Sequence, residues 1–335
     1  MTSIREWTGV TPQIFHNEIL PAARPAVLRG LVAQWPVVQA ARRSGADLAD
    51  YIKRFDRGQS LPSIMAPGAA RGRFFYNQDL SGFNFQQSAT RIGSALDFLL
   101  SRAEDENPPA FAIQSAPVRT SLPGFERENG LPLLGEAVEP RIWIGNRVTV
   151  AAHHDQSENI ACVAAGRRRF TLFAPDQVAN LYMGPFDLTP AGAIVSMVSF
   201  DEPDLERFPR FAEAMKTAEV ADLEPGDAIY IPYLWWHHVR SLEAINMLVN
   251  YWWAPPAPGR GSPRDAFLHA LVAIGSLPKP HREAWRVMFE HYVFQDDGPP
   301  GQHLPADRRG VLGDMPPSML KELRAALARA LAGRS

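Results

Sequence analysis

Between residues 110 and 253 the chain is a succession of short apolar runs cut by turn residues: AFAIQS, RIWIG, NIACVAAG, RFTLFAP, DAIYIP and INMLVNYWW. Each has the length and composition of a strand. EPGD at 224–227 is a tight turn, with Pro225 at its second position and Gly226 at its third. The 30 prolines of the 335-residue chain are scattered rather than clustered, which fits many turns and no disordered tail. So many short strands with so little helix predict a mainly β chain built as an antiparallel sandwich or barrel.

Helices are expected on the flanks. Residues 1–109 read as an N-terminal α/β region packed on the barrel. PAVLRGLV (25–32) is a buried strand ending near Gly30, and GADLADYIKRF (45–55) and IGSALDFLLSRAED (92–105) have helical spacing. The strand-rich core spans 110–256 and is of the jelly-roll or cupin kind. From 262 to 335 the chain turns helical, with Ser262 as cap, Pro263 at the first helical position and Gly275 after the last turn. Further helices are predicted near 280–292 and 318–332. The last carries Leu320, Leu323, Leu327 and Leu331 on one face. That stripe is wider than a terminal helix needs for docking, so a homodimer built from the C-terminal helices is expected.

Composition narrows the partners. Hydrophobic residues make up 46% and charged residues 21%, with a net charge of −2, so nothing favours nucleic acid or an anionic membrane. A single cysteine, Cys162, excludes an internal disulfide and fits a reducing compartment. The start, MTSIREWTGV, has no apolar leader core, and no run reaches the length of a membrane span. A cytoplasmic protein is expected.

Four of the nine histidines stand in two pairs, in VAAHHDQSEN (150–159) and IPYLWWHHV (231–239). Alternation along a strand puts His153 and Asp155 on one face and His154 on the other. Asn159 joins His153 and Asp155 if the strand runs on unbroken. An imidazole and a carboxylate two residues apart can grip one divalent ion, and zinc, iron and manganese all accept such ligands. Taken alone, a His-x-Asp triplet is a weak signal and more often a polar surface strand. In the second pair, parity sets His237 with Val239 and His238 with solvent-seeking Arg240, favouring His237 as the inward residue. A bulge caused by Pro232 or the aromatic cluster would reverse that choice. Two histidines and a carboxylate on one side of an ion form the facial triad of non-haem Fe(II) oxygenases.

The ordered set HHDQSEN, GRRRFTLFAPDQ, LEPGDAIYIPYLWWHHV and NYWW, with PAVLRGLVAQWP upstream, resembles the cupin-type JmjC Fe(II)/2-oxoglutarate oxygenases. The resemblance is to the group containing the factor-inhibiting-HIF asparaginyl hydroxylase. It implies a double-stranded β-helix core and a hydroxylase using Fe(II) and 2-oxoglutarate. By that resemblance His153, Asp155 and His237 are the iron ligands, Asn159 and Asn250 line the co-substrate pocket, and Trp252 stands at the active-site wall. The family's anchoring lysine falls on Arg168. A guanidinium can hold the distal carboxylate through two hydrogen bonds, and parity with Phe170 and Leu172 turns Arg168 inward. A supporting tyrosine falls on Ala112 or Phe111, neither of which has a hydroxyl.

Two further readings stand beside the oxygenase: a metal-binding cupin that recognises a ligand or protein without oxidising it, and a zinc-dependent hydrolytic or isomerising cupin. The substrate, a protein or a small molecule, is not specified by these motifs. RGRFFYNQDLSGFNF (71–85) is an exposed, aromatic loop or short hairpin, and Tyr76, Asn77 and Asp79 are its candidates for substrate contact.

Overall fold

The computed structural model describes residues 1–190, 192–254 and 260–333. The chain divides into two compact units, Met1–Ala254 and Pro255–Ser335. The end of the strand-rich core expected at 256 lies outside the described residues.

In the first unit the strands before residue 109 are β1 (Thr2–Ser3), β2 (Arg5–Thr8), β3 (Ala26–Arg29), β4 (Leu61–Ala66) and β5 (Gln86–Thr90). The next five are β6 (Ala110–Pro117), β7 (Pro140–Gly145), β8 (Thr149–His153), β9 (Glu158–Ala165) and β10 (Arg168–Phe173). The last four are β11 (Glu219–Leu223), β12 (Ala228–Ile231), β13 (Trp236–Ser241) and β14 (Asn246–Trp253). They form a five-stranded sheet in the order β1-β11-β10-β13-β8 and a nine-stranded sheet in the order β2-β3-β12-β9-β14-β7-β6-β4-β5. From β7 to β14 the chain passes repeatedly between the two sheets, as in a jelly roll. The N-terminal strands β2 to β5 are hydrogen-bonded into the larger sheet.

The all-apolar run of β9 follows from burial on both faces. Ala161 and Val163 join a cluster with Phe170, Leu172, Ile229 and Leu248 between the sheets. Ile160, Cys162 and Ala164 face the other way, into a cluster with Leu48, Ile52, Leu96 and Leu99. Helix α1 (Pro36–Arg43) adds Val37 and Val38 to that cluster, α2 (Gly45–Lys53) supplies Leu48 and Ile52, and α3 (Ile92–Ser101) supplies Leu96 and Leu99. Ser44 caps α2 by accepting from the Asp47 amide at 3.0 Å.

Turns set the register. Gly166, at φ +68°, closes the β9–β10 hairpin where a Cβ would lie 2.2 Å from Asn246 Oδ1, so only glycine fits. In EPGD the Asp227 amide donates to Glu224 O at 3.0 Å, and Gly226 has φ +108°. Asp227 then ties the turn to β3 through Arg29 and the Gly30 amide.

Between β10 and β11 an insert with helix α4 (Phe211–Thr217) packs Leu181, Val198 and Phe211 on Phe173 and Trp236, on the outer face of the smaller sheet. The C-terminal unit holds α5 (Pro263–Gly275), α6 (Lys279–Phe289) and α7 (Pro317–Ala332), with Ser262 capping α5. No described helix is long and apolar enough to cross a membrane.

Candidate metal centre

His153 ends β8, His237 is the second residue of β13, and the two are direct cross-strand partners. Their rings lie 4.2 Å apart, centroid to centroid. The register shifts only after His237, before Val239, so the bulge does not displace the inward histidine. Asp155 arrives differently from the sequence expectation. The strand breaks at 154–157, and Asp155 sits in the turn, where its carbonyl accepts from the Leu234 amide at 3.2 Å. Asn159 likewise belongs to a new strand, β9, so strand parity does not connect it to His153.

One ligand atom from each of His153, Asp155 and His237 lies within 4.8 Å of the others. His153 Nδ1 is 3.0 Å from Ala151 O and His237 Nδ1 is 3.0 Å from Trp235 O. A carbonyl only accepts, so both Nδ1 atoms carry the proton and both Nε2 lone pairs are free. Burial, and then neighbouring His153, pushes the His237 imidazole down to about 4, leaving it neutral at pH 7. Asp155 Oδ2 lies 3.5 Å from His237 Nε2 and is buried without a hydrogen bond. Three electron-pair donors thus converge with no proton between them. A divalent cation fits that set, because it relieves the repulsion and satisfies the orphaned carboxylate oxygen.

The other two histidines correct the reading of an outward, solvent-facing side. His238 points away from the triad but is 4% exposed, stacked on Phe200 of the insert at 4.2 Å. Burial, and then Arg240, pushes its imidazole down to about 3. His154 packs edge-on against Trp236 at 4.5 Å. The insert covers a face that alternation alone assigns to water.

The triad opens into a cavity of about 1180 Å³, which includes its solvent-filled mouth, lined also by Asn159, Arg168, Asn250 and Trp252. Arg168 is 5% exposed, and its Nε is buried without a hydrogen bond. Burial alone lowers its guanidinium to about 10, so it stays charged at neutral pH. No carboxylate among the described residues pairs with it. Its neighbours behave as surface groups: Arg167 pairs with Glu243 and Arg169 with Asp222, each at 2.7 Å. Of the two positions open to the missing tyrosine, Ala112 lines the cavity, whereas Phe111 packs against Phe98.

Tyr76, Asn77 and Asp79 are not among the cavity's lining residues. Tyr76 is 4% exposed, and its hydroxyl donates to Leu188 O at 2.8 Å, tying the 71–85 loop to the insert. Asn77 and Asp79 are held within their own turn by Ser81 and Gly82. The aromatic content of that loop serves packing, with Phe83 and Phe85 stacked at 4.9 Å.

The sequence reading missed Trp143 and Gln114, which line the cavity, and Pro190, Ala193 and Val195, which the insert contributes. Trp143 was recoverable, since it alternates with Ile142 and Ile144, which face the helices. The insert residues carry no periodic signal. Trp143 Nε1 donates to Asn250 Oδ1 at 2.8 Å.

A family model described as a cupin-like domain matches residues 12–258. Lysine-specific demethylase 8 of Xenopus tropicalis is 24% identical over 248 residues, covering 72% of this chain and 50% of that protein. Jumonji C domain-containing protein 5 of Drosophila melanogaster is 25% identical over 244 residues, 71% of this chain and 57% of that protein. HSPB1-associated protein 1 of Homo sapiens is 31% identical over 133 residues, 38% of this chain and 25% of that protein. The chain spans about half the length of the first two of these relatives.

Proposed function

The chain belongs to the cupin-like family of JmjC oxygenases, and from that premise we propose that it is an Fe(II)- and 2-oxoglutarate-dependent oxygenase acting as a hydroxylase. The observation that carries this reading is one cavity lined both by the convergent His-Asp-His set and by a buried, unpaired guanidinium. When bound, Fe(II) with 2-oxoglutarate and O₂ supplies the oxidising power, and the co-substrate leaves as succinate and CO₂.

The chain's own residues do the rest. His153, Asp155 and His237 would hold the metal. Arg168 neutralises the distal carboxylate, and Asn159 and Asn250 give hydrogen bonds to the co-substrate. The apolar lining from Val150, Phe170, Ile231 and Leu248 keeps bulk water from the reacting centre. Hydroxylation is common to the two outcomes met among such proteins. A hydroxylated N-methyl group breaks down to the demethylated amine and formaldehyde, and a carbon hydroxylated elsewhere remains an alcohol.

Purified protein given Fe(II) and 2-oxoglutarate under air is expected to form succinate slowly even without a prime substrate, and Asp155→Ala is expected to abolish it. Binding of metal and 2-oxoglutarate with no succinate would favour a non-oxidising cupin. Turnover of an ester or sugar substrate with zinc alone would favour a hydrolytic or isomerising one.

We also propose a homodimer joined through the C-terminal helices. None of the residues described in α5, α6 or α7 is buried. Val272 is 74% exposed and Phe294 66%. Apolar faces of this extent call for a cover, and a second copy supplies matching helices. Sedimentation is expected to give twice the 37.1 kDa chain mass. A monomer at micromolar concentration would overturn the dimer.

A further inference from the structure

Trp143, Asn250 and Asn159 stand on three adjacent strands, β7, β14 and β9, and form a chain of hydrogen bonds along one wall of the cavity. Trp143 pairs with Leu248 across the β7–β14 ladder, so Asn250 is its diagonal neighbour, within reach of a large aromatic but not of a short side chain. Trp252 packs edge-on against Trp143 at 5.9 Å and restrains the indole.

An indole N–H can only donate. Its bond to Asn250 Oδ1, at 2.8 Å, therefore decides which way the Asn250 amide is turned, an assignment that is otherwise ambiguous. With Oδ1 engaged, Asn250 Nδ2 faces Asn159 Oδ1 at 3.5 Å. That contact turns the oxygen of Asn159 to its neighbour and leaves Asn159 Nδ2 without a hydrogen bond among the described residues. The Trp252 Nε1–H is buried and unpartnered as well, and so is Arg168 Nε. Apart from the Asp155 carboxylate of the metal set, the buried unsatisfied polar groups of the cavity lining among the described residues are donors.

We propose that Trp143 is a positioning residue that holds the Asn250 amide with its donors turned inward, making the wall selective for the oxyanions of a 2-oxo acid. The proposal rests on the oxygenase reading above. Without the indole, the Asn250 amide can rotate and present its oxygen to a carboxylate, which repels it. Trp143 also lines the cavity, so the test must separate its action through Asn250 from direct contact or packing.

The experiment is calorimetric titration of 2-oxoglutarate into the full chain loaded with Mn(II), for wild type, Trp143→Phe, Asn250→Ala and the double variant. Trp143→Phe is expected to weaken binding on the order of 10-fold, the worth of one hydrogen bond to a charged ligand, with Mn(II) affinity unchanged. The double variant is expected to bind no more weakly than Asn250→Ala, because the indole then has nothing to orient. Asn250→Asp gives a check that does not depend on how Trp143→Phe folds. It keeps the indole bond but turns an acceptor inward, and is expected to bind more weakly than Asn250→Ala. Wild-type affinity in Trp143→Phe, additive losses in the double variant, or Asn250→Asp binding as well as wild type would each overturn the relay alone. No binding to wild type would overturn both the relay and the oxygenase reading.

Discussion

Alanine at His153, Asp155 or His237 is expected to lower metal affinity by at least about 100-fold, whereas alanine at His154 or His238 leaves it in place. Loss of an outer-sphere partner typically costs 10- to 100-fold, and removing one of three protein ligands should exceed that. His153 and His237 are held by their own backbone, each Nδ1 on the carbonyl two residues earlier, so their Nε2 atoms are aimed before any metal arrives. The neighbouring pair does something else. His238 is buried and stacks on Phe200 of the insert. His238→Ala is therefore expected to cost about 2 kcal/mol of stability while keeping full metal stoichiometry. Metal content after equilibrium dialysis, together with urea midpoints, separates the two effects. Loss of metal in His238→Ala with retention in His237→Ala would reverse the ligand assignment.

Arg168→Ala, in metal-loaded protein, is expected to weaken 2-oxoglutarate binding by about 2–4 kcal/mol, roughly 30- to 1,000-fold. Arg168→Lys should keep part of the binding, since it restores charge but loses the two-pronged geometry. The structure adds an opposite effect on stability. Burial holds the guanidinium at about 10 in the folded chain, below its ordinary value, so folding an unpaired charge costs about 3 kcal/mol. For a base with a lowered folded pKa, that cost is present in full below about pH 10. It fades only as the pH rises towards the unfolded value, when the folded guanidinium loses its proton first. Arg168→Met, which fills similar volume without charge, is therefore expected to raise the melting temperature of the ligand-free protein throughout pH 6–9 while abolishing binding. Calorimetry and thermal melts on the same preparations read both signs. Unchanged affinity in Arg168→Ala would remove the residue from the site, and a lower melting temperature in Arg168→Met would show that the charge has a partner.

These expectations draw on two levels of information. The strands of the core could be read from the chain because each obeys a local rule. From Ile160 onward β9 is apolar since both its faces are covered, and the Gly166 and EPGD turns are specified by backbone conformations few other residues adopt. The inward turn of Arg168 between Arg167 and Arg169 also follows from alternation, because that short strand is regular from end to end. The helix α2 begins where its serine cap stands.

What alternation could not decide is where a strand stops and what lies over it. Asp155 reaches the metal set from a turn, and Asn159 enters the cavity from a separate strand, so their shared parity with His153 was not the cause of their meeting. His238 is buried by an insert whose own sequence has no period to reveal where it folds back. Tyr76 looked exposed and chemically available, yet its hydroxyl is spent on Leu188. Local sequence determined the strands, the turns and the residue types capable of ligation, because those depend on neighbours along the chain. The pairing of His153 with His237, the bond from Trp143 to Asn250 and the covering of His238 were decided only by the tertiary structure. Each joins residues dozens of positions apart, and their meeting depends on register and packing between elements rather than on preferences within one.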